Sequence, residues 1–110
     1  MKVALVWNGD KNSVMMYSKV KETFDVSFLL TFLQEEPSHT NYLSNIKCQS
    51  KKLGVPFFWS RVDAPYLEEY KETIAELKKD YGIEGIVMDR THTSWIEDAC
   101  KTIGMEVIRA

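Results

Sequence analysis

Long apolar runs, a basic excess and closely spaced cysteines are all missing from this sequence of 110 residues. No apolar stretch approaches the length of a membrane span, and strand-like residues begin almost at the first position, so the sequence predicts neither an anchor nor a signal peptide. The 14 Lys and Arg against 16 Asp and Glu give a net charge of -2, which argues against non-specific binding to nucleic acid or membrane surfaces. We therefore expect a cytoplasmic domain with neither kind of partner.

The scarcity of cysteine and histidine limits the metal chemistry that the chain can support. Cys48 and Cys100 are far apart and form no C-x-x-C pair, so both thiols are expected to be reduced and buried. His39 and His92 have no clustered third ligand in the sequence. The pattern therefore predicts no metal site built by the protein alone.

A regular alternation of strand and helix patterns fills the chain. At this length, residues 1–110 are expected to form one domain with a single core. Apolar runs predict strands at 3–7, 25–33, 55–62, 83–88 and 105–108. Apolar residues three and four apart predict helices between them, with Ser13 at the start of the first. Trp59 and Trp95 could stack on adenine, but inward-facing aromatic residues are far more often core, and both are expected there. The prediction is an α/β fold: a doubly wound five-stranded parallel sheet with helices on both faces, Rossmann-like.

Between the first strand and the first helix lies a polar turn, residues 8–13. A Gly and a Lys in such a turn can present backbone N–H groups and positive charge to an anion. The turn is equally compatible with a plain strand-to-helix connection. Residues 34–39 and 89–93 follow the second and fourth strands, and in a parallel sheet these turns are expected at the same edge as the first.

Five segments, in order, resemble one family, and one of them, residues 28–31, resembles its second strand. Residues 7–13 resemble the W-S-G-G-K-D-S loop of N-type ATP pyrophosphatases, and the diphthine–ammonia ligases are the nearest relatives in pattern. Residues 38–40 resemble the F-H-T of that family, 49–56 its Q-A-x-x-L-G-I-P, and 82–87 its G-I-x-G-I-V. The resemblance spans nearly the whole chain.

This resemblance implies an adenine nucleotide alpha hydrolase-like domain of the PP-loop superfamily that binds ATP or AMP, with Mg²⁺. In the family, ATP is cleaved between its α and β phosphates as a substrate carboxylate is adenylated, and ammonia then attacks. Matching positions would place the loop at phosphate, Thr31 near adenine or ribose and His39 at the pocket rim. The nucleotide-binding residues implied are Asn8, Gly9, Asp10, Lys11, Asn12, Ser13, Thr31, His39 and Asp89.

The departures from the family pattern bear on activity. Asp10 replaces the second Gly of the loop, and a carboxylate ~4 Å from phosphate at an effective dielectric of about 20 would cost ~4 kcal/mol before rotation or screening. We expect weakened ATP binding unless Asp10 turns away or helps to hold Mg²⁺. Asn12 replaces an Asp, and after the fourth strand only Asp89 matches well. The C-terminal half of the family is absent, so an intact amidating ligase is not expected from this chain alone.

Three hypotheses follow, and they leave open whether the chain is an enzyme. The first is a diverged adenine-nucleotide-binding domain. The second is a non-catalytic regulatory or assembly module, whose last strand offers an exposed edge to a second copy or a partner subunit. The third is a phosphoacceptor domain that uses Asp10 or Asp89, although no acidic cluster follows the first strand.

Overall fold

The computed structural model describes residues 1–33, 39–62, 65–89 and 95–110, and for residues 33 and 39–43 the backbone alone. Within these ranges five strands alternate with four helices. The elements in chain order are β1 (Lys2–Val6), α1 (Lys11–Val20), β2 (Asp25–Leu33), α2 (His39–Leu53), β3 (Phe57–Arg61), α3 (Tyr66–Tyr81), β4 (Gly85–Met88), α4 (Trp95–Ile103) and β5 (Glu106–Arg109). None of the helices described is long and apolar enough to cross a membrane.

The five strands form one parallel sheet in the order β3-β2-β1-β4-β5. In the central strand, Val3 pairs with Val26 of β2 on one side and with Gly85 of β4 on the other. The chain builds outward from β1 to β3 and then crosses to β4 on the opposite side. The gap between the carboxyl ends of β1 and β4 is therefore the topological switch point, where ligands of open α/β sheets bind.

Both faces of the sheet are covered by helices. Val3 and Leu5 pack in one apolar cluster with side chains of α1 and α2, including Met16 and Ile46. The intervening Ala4 packs in a second cluster with side chains of α3 and α4. Alternate residues of a strand point to opposite faces, which explains why a strand covered on both sides has an unbroken apolar sequence. The predicted doubly wound fold is confirmed.

The start of α1 differs from the prediction. Its N-cap is Asp10, whose side-chain Oδ1 accepts a hydrogen bond of 2.9 Å from the backbone N–H of Ser13. Ser13 is therefore the third helical residue rather than the cap. An aspartate at the N-cap satisfies a helix N–H that has no intrahelical partner, so the helix begins two residues earlier than the hydrophobic spacing indicated.

Three side chains expected inside are exposed. Trp59 is 49% exposed and Trp95 is 47% exposed, so the prediction that both lie in the core is wrong. Trp59 is on β3, which among the described strands has a neighbour on one side only, and Trp95 is the first residue of α4. Cys48 is also exposed because it lies two positions after the buried Ile46, about 200° around the helix.

The two thiols are predicted to differ sharply in reactivity. Burial raises the pKa of the Cys100 thiol to about 12, and the nearby Glu97 carboxylate adds to the shift. Since the thiolate is the nucleophile, a disulfide reagent at pH 8 should modify one thiol of the folded chain, that of Cys48. The second should react only in denaturant. The absorbance of the thiolate that the reagent releases counts the thiols that have reacted. Cys48→Ser is expected to give no fast reaction. Two equally fast thiols in the unmodified chain would contradict the packing around Cys100.

Candidate functional site

The turn after β1 starts from a fixed position at the switch point. The backbone N–H of Trp7 donates to the Leu30 carbonyl at 2.8 Å, and its indole is 1% exposed. On the same neighbouring strand, the buried Thr31 hydroxyl donates to the Trp7 carbonyl at 2.8 Å. Two consecutive residues of β2 therefore hold Trp7 where the loop begins. The predicted approach of Thr31 to adenine or ribose stays a prediction, and its hydroxyl already serves the loop backbone.

The loop itself is closed by two reciprocal hydrogen bonds. Ser13 is fully buried, and its Oγ accepts from the backbone N–H of Asn8 at 2.9 Å. Its own backbone N–H donates to the Asp10 carboxylate, also at 2.9 Å. Asn8, Asp10 and Ser13 thus form a ring that joins the end of β1 to the first turn of α1.

Asp10 places a negative charge at the positive end of α1. The first turn of this helix holds no other acidic residue, and helix N-termini bind anions through free N–H groups and the helix dipole. The Asp10 carboxylate therefore takes the place that a phosphate oxygen would take at the Ser13 N–H. The sequence left open whether Asp10 turns away from a bound ligand. In the structure its carboxylate folds back onto the first turn of α1.

Gln49, on α2, contacts the loop from the opposite side. Its Oε1 accepts from the Trp7 indole N–H at 2.8 Å, and its Nε2 donates to the Gly9 carbonyl at 3.2 Å. Gln49 lies in one of the segments that resemble the family, but no role was predicted for it. The available signal was position: three residues after the buried Ile46, Gln49 is a polar residue on the stripe of α2 that faces the sheet.

On the β4 side, Asp89 is held by the last strand. Its backbone carbonyl accepts from Arg109 Nη1 at 2.9 Å, and Nη2 of the same guanidinium bonds Glu97 of α4. The Asp89 carboxylate lies 3.5 Å from the Asn12 amide nitrogen of α1, a weak contact by distance. The two sides of the switch point therefore meet at Asn12 and Asp89. Sequence reasoning gave Glu97 no role at the site and missed Arg109, which lies 20 positions after Asp89.

These groups surround a cavity of about 210 Å³ at the switch point. Its described lining residues are Val6, Asn8, Asp10, Asn12, Ser13, Met16, Phe32, Tyr70, Met88, Asp89 and Ile96. Five of the predicted binding residues are thus brought together around one space. Polar groups converge from the β1 and β4 ends, with apolar side chains around them, as is typical of small-molecule sites.

The other predicted residues are placed differently. Gly9 lies on the far side of the loop and lines a second cavity with Gln49. Lys11 is exposed at the start of α1. His39 begins α2, and its side chain lies outside the described residues, as does the candidate His92.

The side chains that line the cavity could hold Mg²⁺ only together with phosphate groups of a ligand. Among the described residues, no three His, Cys, Asp or Glu side chains come together as a metal site, although Asp10 and Asp89 both line the cavity. Mg²⁺ in nucleotide sites is commonly held by one or two carboxylates together with substrate phosphates. Of the described lining residues none is cationic, so a polyanion would need a metal ion to offset the two carboxylates.

Comparison with solved structures supports the fold. One match, with TM-score 0.59 and 18% identity, is a crystal structure of a predicted subunit of tRNA methyltransferase from Methanocaldococcus jannaschii, and covers 99% of this chain and 67% of that one. A structure described as AtPrR2 in apo form matches with TM-score 0.48 and 10% identity, covering 96% of this chain and 46% of that chain. No protein of curated function matches the sequence.

A family model assigns the sequence more specifically. The diphthamide synthase N-terminal domain matches residues 1–107, nearly the whole chain. This match includes β1 and the loop, the sheet-facing side of α2 that bears Gln49, and the end of β4 at Asp89. The chain belongs to the diphthamide synthase N-terminal domain family, within the PP-loop superfamily.

Proposed function

We propose that this domain binds an adenine nucleotide, ATP or AMP, with its phosphates at the loop formed by residues 8–13. The observation that carries the proposal is the convergence of Asn8, Asp10 and Ser13 with Asp89 around one cavity at the switch point. PP-loop domains generally bind ATP with Mg²⁺, which supports this choice of ligand. The cavity of about 210 Å³ is below the usual range for a whole drug-sized ligand, so it suits phosphates, with the base outside it.

Four residues of the loop have a role in this proposal. The Asn8 carboxamide donates to phosphate from the end of β1, and Lys11 supplies a mobile positive charge at the start of α1. Ser13 keeps the loop closed through the Asn8 N–H. Asp89 would hold the metal ion that accompanies the nucleotide, while the Asp10 carboxylate caps α1 at the Ser13 N–H. His39 at the pocket rim and Thr31 near the sugar or base complete the proposed set.

For catalysis we propose the chemistry of the wider superfamily. A substrate carboxylate oxygen bonds to the α phosphorus of ATP, the bond between the α phosphorus and its bridging oxygen breaks, and pyrophosphate leaves. Ammonia then attacks the acyl carbon, and AMP departs. A bound Mg²⁺ would neutralise negative charge on the leaving phosphates, and the residues of the domain would hold the reacting groups in position.

The second candidate is a non-catalytic module that keeps the fold and has lost ATP cleavage. The Asp10 carboxylate on the Ser13 N–H favours it, because a phosphate must displace this internal anion. In that role the outer edge of β5 offers backbone hydrogen bonds to a second copy or a partner subunit. Release of pyrophosphate from ATP in the presence of a carboxylate substrate would support the catalytic candidate, and no release would support the non-catalytic module. Sedimentation across a concentration range tests whether the chain associates with itself through the edge of β5.

Calorimetric titration tests nucleotide binding itself. ATP, ADP and AMP should each be titrated with Mg²⁺ and again with a chelator. Binding that strengthens with phosphate number and requires Mg²⁺ supports the proposed arrangement. No heat at millimolar nucleotide, in a folded sample, would refute it.

Lys11→Met is expected to weaken Mg²⁺–ATP binding about 3- to 10-fold, since one charge-assisted contact is lost while the length of the side chain is kept. The effect should shrink as salt rises, because Lys11 is exposed and screened. Lys21→Met removes the same charge from the C-cap of α1, at the opposite end of the helix from the loop, and serves as the matched control. Equal affinities for the two variants would show that the effect is one of net charge rather than of contact at the loop.

A further inference from the structure

The side chain of Gln49 bridges two parts of the loop that no regular secondary structure connects. It accepts from the Trp7 indole at 2.8 Å and donates to the Gly9 carbonyl at 3.2 Å. An indole N–H can only donate and a carbonyl can only accept. The two partners therefore fix the carboxamide in a single orientation, oxygen towards Trp7 and nitrogen towards Gly9.

The bridge also explains why position 9 is a glycine. Gly9 has φ of +80°, and a Cβ added there would lie 3.0 Å from Gln49 Oε1. Any other residue would meet both an unfavourable left-handed backbone and the bridging side chain. Gln49 and Gly9 thus fit each other as a pair, one on α2 and one in the loop.

The direction of one peptide group follows from this pair. In a trans peptide the C=O and the following N–H point in opposite directions. Because the Gly9 carbonyl points to Gln49, the N–H of Asp10 points away from α2. A free carbonyl turned to the ligand would repel phosphate, whereas here its negative end is occupied by the Gln49 amide.

We infer that Gln49 is a positioning residue for the anion-binding loop, acting through Gly9 and Trp7 without touching the ligand. It holds the Gly9–Asp10 peptide with its carbonyl turned away from the bound anion and ties the loop to α2. The bridge stands on the geometry alone, while its effect on affinity rests on the proposed nucleotide site. The experiment therefore has one readout without ligand and one with it.

Gln49→Glu separates the two hydrogen bonds by pH. Above the pKa of the introduced carboxyl, ordinarily about 4.3, the carboxylate still accepts from Trp7 but repels the Gly9 carbonyl. That repulsion and partial burial raise the pKa, so the bridge is absent near neutrality and returns when the carboxyl is protonated and can donate. Groups that titrate or carry charge nearby are Cys48 and Lys52, which line the same cavity, and Asp10 in the loop. The unmodified chain measured at each pH corrects for them.

The readout without ligand is the indole N–H signal of Trp7 in a proton–nitrogen NMR spectrum. The chain has three Trp, and Trp59→Phe and Trp95→Phe, both at exposed positions, assign the remaining signal. Gln49→Leu should shift this signal and speed its hydrogen exchange about tenfold, the factor corresponding to one hydrogen bond. Lys47→Leu, which removes an exposed polar side chain from another face of the same helix, should leave it unchanged.

The readout with ligand is the affinity for Mg²⁺–ATP, expressed as a ratio to the unmodified chain at the same pH so that titration of ATP cancels. Gln49→Glu should bind about tenfold more weakly at pH 7.5 and recover towards a ratio of one near pH 5, while Gln49→Leu stays about tenfold weaker at both. An unmoved indole signal in Gln49→Leu overturns the bridge. A moved signal with unchanged affinity overturns the positioning role. If the unmodified chain binds no ATP, the proposed function fails. The Trp7 indole N–H signal of the Gln49 variants, measured without ligand, then decides whether the bridge exists.

Discussion

Asp10→Gly is expected to tighten Mg²⁺–ATP binding about 10- to 100-fold. The Asp10 carboxylate now occupies the Ser13 N–H at 2.9 Å, and the substitution frees that donor and removes a negative charge beside the phosphates. Two like charges ~4 Å apart at an effective dielectric of about 20 repel by ~4 kcal/mol. Asp10 is exposed, so screening leaves roughly 1.4 to 2.8 kcal/mol, which is the stated change in affinity. Calorimetry on the purified variant measures it.

Two further variants at Asp10 separate charge from space. Asp10→Asn keeps an N-cap side chain and removes the charge, so it should gain part of the affinity. Asp10→Ala removes both and costs about 1 kcal/mol of unfolding free energy through the lost cap, whereas Gly costs a few tenths. A fall in affinity for all three would contradict repulsion and indicate that the carboxylate holds the metal ion. No change in any of them would place the phosphates away from the loop.

The fold followed from the sequence because its strongest signals are local. Val3 to Trp7 is an unbroken apolar run, and such runs occur in parallel strands covered on both faces. The helical stripe of α3, with Ile74 and Leu77 fully buried, predicts which side of the helix meets the sheet. The resemblance of several segments, in order, to one family pointed to the same fold, and the family model matches residues 1–107.

The site could be predicted only in part because its contacts join residues distant in sequence. That the loop lies at the same edge of the sheet as the turns after β2 and β4 followed from the alternation of strands and helices. The capping role of Asp10 did not, since the family pattern has Gly there and directed attention to a ligand. Gln49 and Trp7 are 42 positions apart, and Arg109 reaches Asp89 from 20 positions away. Pairings of this kind depend on the finished sheet order, which no local pattern encodes.

The same distinction explains the exposed tryptophans. Hydrophobicity alone predicts that Trp59 is buried, but exposure depends on whether a neighbouring strand or helix covers the position. β3 is an edge of the described sheet, and β5 is the other. An edge position has fewer neighbours than the same residue would have in β1, where Val3, Ala4 and Leu5 are fully buried.

Ser13→Ala is expected to lower the free energy of unfolding by about 1 to 2 kcal/mol. The hydroxyl is buried and is the acceptor for the Asn8 backbone N–H at 2.9 Å. The hydrogen bond is partly buried; losing such a bond, with its donor left unsatisfied, costs about 1 to 2 kcal/mol, and the better helix propensity of Ala returns a few tenths. At roughly 4 to 8 °C per kcal/mol for a domain of this size, the melting temperature should fall by about 5 to 15 °C.

The control for this prediction lies on the same helix. Ser18→Ala makes the identical change at an exposed position of α1, where only propensity acts, so it should leave the melting temperature unchanged or raise it slightly. If both variants melt alike, the Ser13 hydroxyl does not hold the end of β1. If Ser13→Ala alone melts early, its Mg²⁺–ATP affinity, measured well below its melting temperature, should also fall several-fold, because Asn8 then no longer has a fixed position opposite Asp89.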